Sequence, residues 1–185
     1  AGDTSATLIL AELMLDDPTN QTRALALLLP LADRGNGQAM ALLPRADPRS
    51  FPDLAAVFAT YQARIAARGD FAALLLALPF LPLAERAETR ARAIAVMDCG
   101  FADAIAFATV SSTLKDPEET RRWLAIAGLL TGSDPWQLVR LADTRLALLP
   151  DADPALAHAL YEQAFALGSR TATQRLIRLN GKPGQ

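Results

Sequence analysis

The chain has one cysteine, Cys99, and one histidine, His158, in 185 residues. A lone thiol excludes an internal disulfide and a thiolate metal cluster, and it says nothing about compartment. A lone imidazole excludes a metal set built on two histidines, and it stands about two repeats away from Cys99, too far along the chain to serve as that thiol's base. A small buried residue is the expected role of Cys99. Lysine is nearly absent: Lys115 and Lys182 are the only two, and the other 16 basic residues are arginines. Arginine suits bidentate pairing with carboxylates better than lysine does, although GC-rich coding produces the same bias. A net charge of −2 supplies no bulk attraction to nucleic acid or anionic lipid. Long apolar runs are also missing, since the longest, residues 71–84, contains Pro79 and Pro82 and falls short of the ~20 residues of a membrane helix. Residues 1–15 lack the basic start of a signal peptide. Apolar alternation never persists and β-branched residues are few, so no strand is expected. With 51% hydrophobic and 21% charged residues, the chain belongs to the folded classes that bury a continuous core.

A period fills the space these absences leave. Gly2, Gly35, Gly69, Gly100, Gly132 and Gly168 are spaced by 33, 34, 31, 32 and 36 residues. An alanine stands four residues after five of them, at Ala6, Ala39, Ala73, Ala104 and Ala172, and the exception is Trp136, where Ser133-Asp134-Pro135 restarts the helix. The clearest unit is residues 155–179, two amphipathic patterns hinged at Gly168, with Ala172 and Leu176 on one helix face. Such a period predicts an all-α fold of helix-turn-helix repeats. About five repeats of 31–36 residues, in antiparallel pairs that cannot bury their own apolar faces, are expected to stack into a right-handed superhelical solenoid over residues 1–185. Because residues 4–15 read as the second helix of a pair, the chain is expected to be part of a longer array.

Helices are expected at residues 19–34, bent or shortened by Pro30, and at 38–43, closed by Pro44 after a Gly35-Asn36-Gly37 turn that tolerates positive φ. Others follow at 54–68, 71–78, 85–98, 102–114, after Asp116-Pro117, at 136–149 and through the last unit, with a stop at Asn180-Gly181-Lys182-Pro183-Gly184. On the 85–98 helix, Glu88 and Arg92 fall one turn apart on the wet side, with Ala91, Ile94 and Ala95 available for packing. Trp123, Leu124, Ala127 and Leu130 form the expected buried stripe of the helix after Asp116.

No residue pattern requires chemistry. His158 and Glu162 make an ordinary surface pair at helical spacing, and Asp16-Asp17 and Asp151/Asp153 stand at helix starts, where capping explains them. Gly35-Asn36-Gly37 follows a helix where a dinucleotide fingerprint needs a strand, Gly181-Lys182 lacks the rest of a phosphate loop, and Asn20-Gln21-Thr22 matches a glycosylation acceptor by spelling alone. No catalytic residue, cofactor or metal is expected. Trp123 and Trp136 are core residues or partner anchors. Arg140, Arg145, Arg170, Arg175 and Arg178 line one face or are solvated singly. The expected partner-binding set is Trp136, Arg140, Arg145, Arg175 and Arg178.

Residues 160–164, Leu-Tyr-Glu-Gln-Ala, with Gly168, Ala172 and Leu176, resemble the Sel1-like subgroup of tetratricopeptide (TPR) repeats. Across residues 35–166, the order Ser50-Phe51-Pro52, Ala66-Ala67-Arg68-Gly69, Arg92-Ala93-Ile94, residues 106–110, Gly132-Ser133 and residues 160–163 is similar to the AlgK-like family of alginate-secretion lipoproteins. The resemblance implies a non-catalytic periplasmic scaffold, tied to the outer membrane by a lipidated cysteine outside this chain. Its implied partners are an outer-membrane porin and a periplasmic acetyltransferase. Cys99 is internal and cannot be that anchor. A cytoplasmic Sel1-type regulatory adaptor, and a module that binds anionic polysaccharide through arginines, are the alternatives. Nucleic acid is not an expected partner.

Overall fold

The computed structural model describes residues 3–180, so Gly2 and the expected stop at residues 181–184 lie outside the described residues. Among the described residues there are eleven α-helices, two 3-10 turns and no strand. The chain divides into two compact units, Ala1–Met97 and Asp98–Gln185.

The first unit holds α1 (Thr4–Met14), α2 (Gln21–Ala32), α3 (Gly37–Ala46), α4 (Leu54–Arg68), α5 (Phe71–Ala77) and α6 (Leu83–Val96), with 3-10 turns at Pro18–Asn20 and Leu78–Phe80. Sequence neighbours pack on each other, and α1 also meets α3, and α3 meets α5. The second unit holds α7 (Phe101–Thr113), α8 (Pro117–Leu130), α9 (Pro135–Leu148), α10 (Pro154–Ala166) and α11 (Arg170–Asn180), again with neighbours paired and with α7 against α9. Packing of alternate helices within each unit gives a repeat-like all-helical architecture.

Among the described residues the periodic glycines work at helix ends. Gly35 and Gly168 both adopt φ 89°. At the first, the Gly35 N–H donates to Ala32 O (2.9 Å) and the Asn36 N–H to Leu31 O (3.1 Å); at the second, Gly168 donates to Phe165 O (2.8 Å) and Ser169 to Ala164 O (3.0 Å). This is the Schellman pairing, which needs a left-handed residue at the helix end. The residue after each glycine then opens the next helix: Asn36 Oδ1 accepts from Ala39 N at 2.8 Å, and Ser169 Oγ from Ala172 N at 3.3 Å. One glycine and one capping residue thus turn the chain by satisfying orphaned groups of both helices. Lys115 fills the same slot with φ 58°, its N–H donating to Ser112 O at 2.9 Å while Asp116 N donates to Ser111 O at 3.0 Å. A side chain strains that conformation, so Lys115→Gly is expected to raise stability by about 0.5–1 kcal/mol, read as a higher urea midpoint.

Close helix approach accounts for the alanines four residues after the glycines. Ala39, Ala73, Ala104 and Ala172 are fully buried, whereas Ala6 is exposed. At the Trp136 exception the tryptophan is outside the core, and Leu138 is buried in its place. Trp123 is a core residue, its ring 4.3 Å from that of Phe107 and nearly parallel.

Several expectations are corrected. Pro44 does not close α3, which runs on to Ala46; the missing N–H forfeits only the bond to Met40, and Asp47 N still donates to Leu43 O at 2.9 Å. The Gly35-Asn36-Gly37 turn holds as expected, its positive φ falling at Gly35, and Gly37 already belongs to α3. On α6 the buried residues are Thr89 and Ala93, one turn apart, and the expected Ala91, Ile94 and Ala95 are exposed, because the helix packs through a different face from the one expected. Leu130 is exposed at the end of α8. Cys99 is exposed rather than buried, and it takes φ 57° in the turn that follows α6. Capping by acidic residues holds at Asp17, Asp116, Asp134 and Asp153. The neighbours Asp16 and Asp151 instead pair with Arg45 (3.2 Å) and Arg121 (2.6 Å).

Candidate functional site

Asp134 sets the position of the one exposed tryptophan. Its carboxylate accepts from the N–H groups of Trp136 (2.9 Å) and Gln137 (3.3 Å), fixing the first turn of α9 just after Pro135. Trp136 is 59% exposed. One turn on, the Arg140 guanidinium lies 5.1 Å from the centre of the indole, a cation–π contact worth about 0.5–1 kcal/mol at an exposed site. Val139, Asp143 and Thr144 continue that face of α9, and Ser169 and Thr171 at the start of α11 complete a cleft of about 390 Å³.

Asp143 ties three helices together beside the cleft. It accepts from the Tyr161 hydroxyl of α10 at 2.6 Å, and from Arg175 of α11 in a fork, Nε at 2.9 Å and Nη2 at 2.9 Å. Burial first, then the hydrogen bond to Asp143 and its charge, push the Tyr161 phenol well above its ordinary range. The bond to Asp143 also raises the already high pKa of Arg175. Below this network lies the core of Leu138, Val139, Ala142, Ala157, Tyr161, Ala164 and Ala172.

Of the five residues expected at an interface, Trp136 and Arg140 form one wall of the cleft, and Arg175 reaches it only through Asp143. Arg145 stands nine residues after Trp136, half a turn out of phase at 3.6 residues per turn, and so faces away. Arg178 is exposed one turn beyond Arg175 and is not part of the cleft. Arg170, at the start of α11, is exposed and likewise not part of the cleft. Sequence reasoning missed Asp143 and Thr144; the spacing of Trp136, Arg140 and Asp143, four and then three residues apart on one helix face, was the available sign.

His158 Nδ1 lies 3.6 Å from Glu162 Oε2 on the surface of α10. Among the described residues no group of three His, Cys, Asp or Glu side chains is arranged to hold a metal ion, and no helix is long and apolar enough to cross a membrane. Comparisons with family models, with curated proteins and with solved structures return no match.

Proposed function

We propose that the chain is a non-catalytic protein–protein interaction scaffold built from Sel1-like repeats, a right-handed solenoid that binds a partner through the Trp136 cleft. The observation that carries this reading is the exposed indole stacked with Arg140 over an open cleft, beside the Asp143 network that joins α9, α10 and α11. Tryptophan and arginine dominate the energetics of protein interfaces, and a pre-organised anchor loses little entropy on binding. The resemblance to alginate-secretion lipoproteins supports a more specific role, assembly of an exopolysaccharide export complex in the periplasm at the outer membrane. There the partners would be the porin and the acetyltransferase.

The glycan-binding alternative is weaker. Arg175 is committed to Asp143, whose carboxylate stands in the wall of the cleft where a uronate would have to approach. The test is affinity capture by the full-length protein from detergent-solubilised envelope of its native host, beside the Trp136→Ala and Arg140→Glu variants. Recovery of an outer-membrane porin and a polysaccharide-modifying enzyme, lost in both variants, is the expected result. Recovery of cytoplasmic proteins alone would overturn the export role and favour the regulatory adaptor.

A further inference from the structure

We propose that a groove in the first unit, between α4 and α6, docks a short polypeptide segment of a partner that carries a large apolar side chain beside arginine or lysine. The site goes beyond the Trp136 reading, since it belongs to the other unit and uses none of the same residues. Both α4 and α6 pack on α5, and the space left between them is about 560 Å³. Its floor is apolar, made by Ile65, Leu74 and Ala77. Phe58, stacked on Phe80 with ring centres 5.5 Å apart, walls one side. From Glu85 to Arg92 the lip spans about 10 Å of helix, at 1.5 Å per residue, which is room for one anchor side chain and its neighbours.

Charge decides the occupant. The spacing of Glu88 and Arg92 predicts an ion pair along α6, but Arg92, at the end of the lip, reaches across to α4 and donates to Ala66 O at 2.9 Å, satisfying one of that helix's last carbonyls. Glu88 is left without its expected cation, and Glu85 stands one turn before it on the same lip. Among the described residues neither carboxylate makes an ion pair, and both are exposed. Two unpaired carboxylates one turn apart above an apolar floor are complementary to a segment that presents an apolar anchor with a basic residue on either side. Glu85 and Glu88 outnumber the one lip cation, Arg92, whose guanidinium is engaged at Ala66 O, so an acidic segment is disfavoured there and an apolar one without cations would leave the carboxylates uncompensated.

A random twelve-residue peptide library displayed on phage, selected against the full chain, tests this. The same pool is then bound to three variants: Glu85→Arg with Glu88→Arg, Ala63→Trp to fill the groove from its exposed lip, and Trp136→Ala as a control in the other unit. The expected result is enrichment of Leu or Phe flanked by Lys or Arg, in peptides that bind the first two variants about tenfold more weakly and the control unchanged. Enrichment of acidic sequences, peptides indifferent to both groove variants, or no enrichment would overturn the proposal. Peptides lost only on Trp136→Ala would overturn it while supporting the cleft, so the two sites fail separately. Thermal unfolding of each variant ensures that a lost signal is not lost fold.

Discussion

Replacing Gly37 by alanine is expected to lower stability by about 3 kcal/mol or more, one of the largest effects of any single methyl group in the chain. The added Cβ would stand 2.0 Å from Ala73 N and 2.4 Å from Ala72 C, both main-chain atoms of α5 that no rotamer change can move aside. The approach is held from the other direction by Asp70. Its carboxylate caps α5 at Ala73 N (2.9 Å) and accepts from Gly37 N at 3.0 Å with each oxygen, so one side chain serves the starts of two helices. Pushing α3 off α5 breaks both the packing and the shared cap. A thermal midpoint lower by roughly 6–12 °C is the corresponding shift for a chain of this size. Gly128→Ala is the control, because its Cβ meets only Leu141 Cδ2, at 3.7 Å; it is expected to be neutral or stabilising in the last turn of α8.

Asp143→Ala is the second large effect, expected to cost about 2–4 kcal/mol. The ion pair with Arg175 is not the main reason, since both side chains are about a third exposed, 33% and 37%, and water screens them. The cost falls on Tyr161, which is 1% exposed and would keep its hydroxyl with no acceptor for a 2.6 Å hydrogen bond. Tyr161→Phe removes the donor together with the need for it, so that variant is expected to lose only about 1 kcal/mol, and Arg175→Ala about the same. Urea denaturation of the three variants checks the order. Asp143→Ala no worse than Arg175→Ala would mean that the network is a surface pair and does not hold the cleft.

These two positions mark the limit of what the amino-acid order makes legible. The glycine period is readable because Gly35 and Gly168 do chemically local work: positive φ and a following cap are properties of two or three adjacent residues. Lys115 performs the same turn without glycine and so escapes a search for glycines. Gly37 looks like turn material next to Gly35, and its real constraint is a helix 33 residues later, which no local pattern carries. The face of α6 was misassigned for the same reason: several apolar stripes are available on an alanine-rich helix, and the carbonyl at Ala66 that captures Arg92 is a tertiary partner. In the cleft, Trp136 is visible as the one break in the alanine series, whereas Arg140 enters the expected set only as one of five arginines near the C-terminal end. Arg175 is expected at a partner because its actual one, Asp143, lies on another helix, 32 residues away, where no local pattern points.

Trp136 is the anchor of the proposed interface, and affinity for the captured partner tests that most directly. Titration of the purified partner onto the wild-type chain and Trp136→Ala, with unfolding midpoints measured alongside, is expected to show binding weakened at least about tenfold while stability falls by no more than the roughly 1 kcal/mol of the lost cation–π contact. Equal affinity for the two chains would contradict the account and leave the exposed indole as surface.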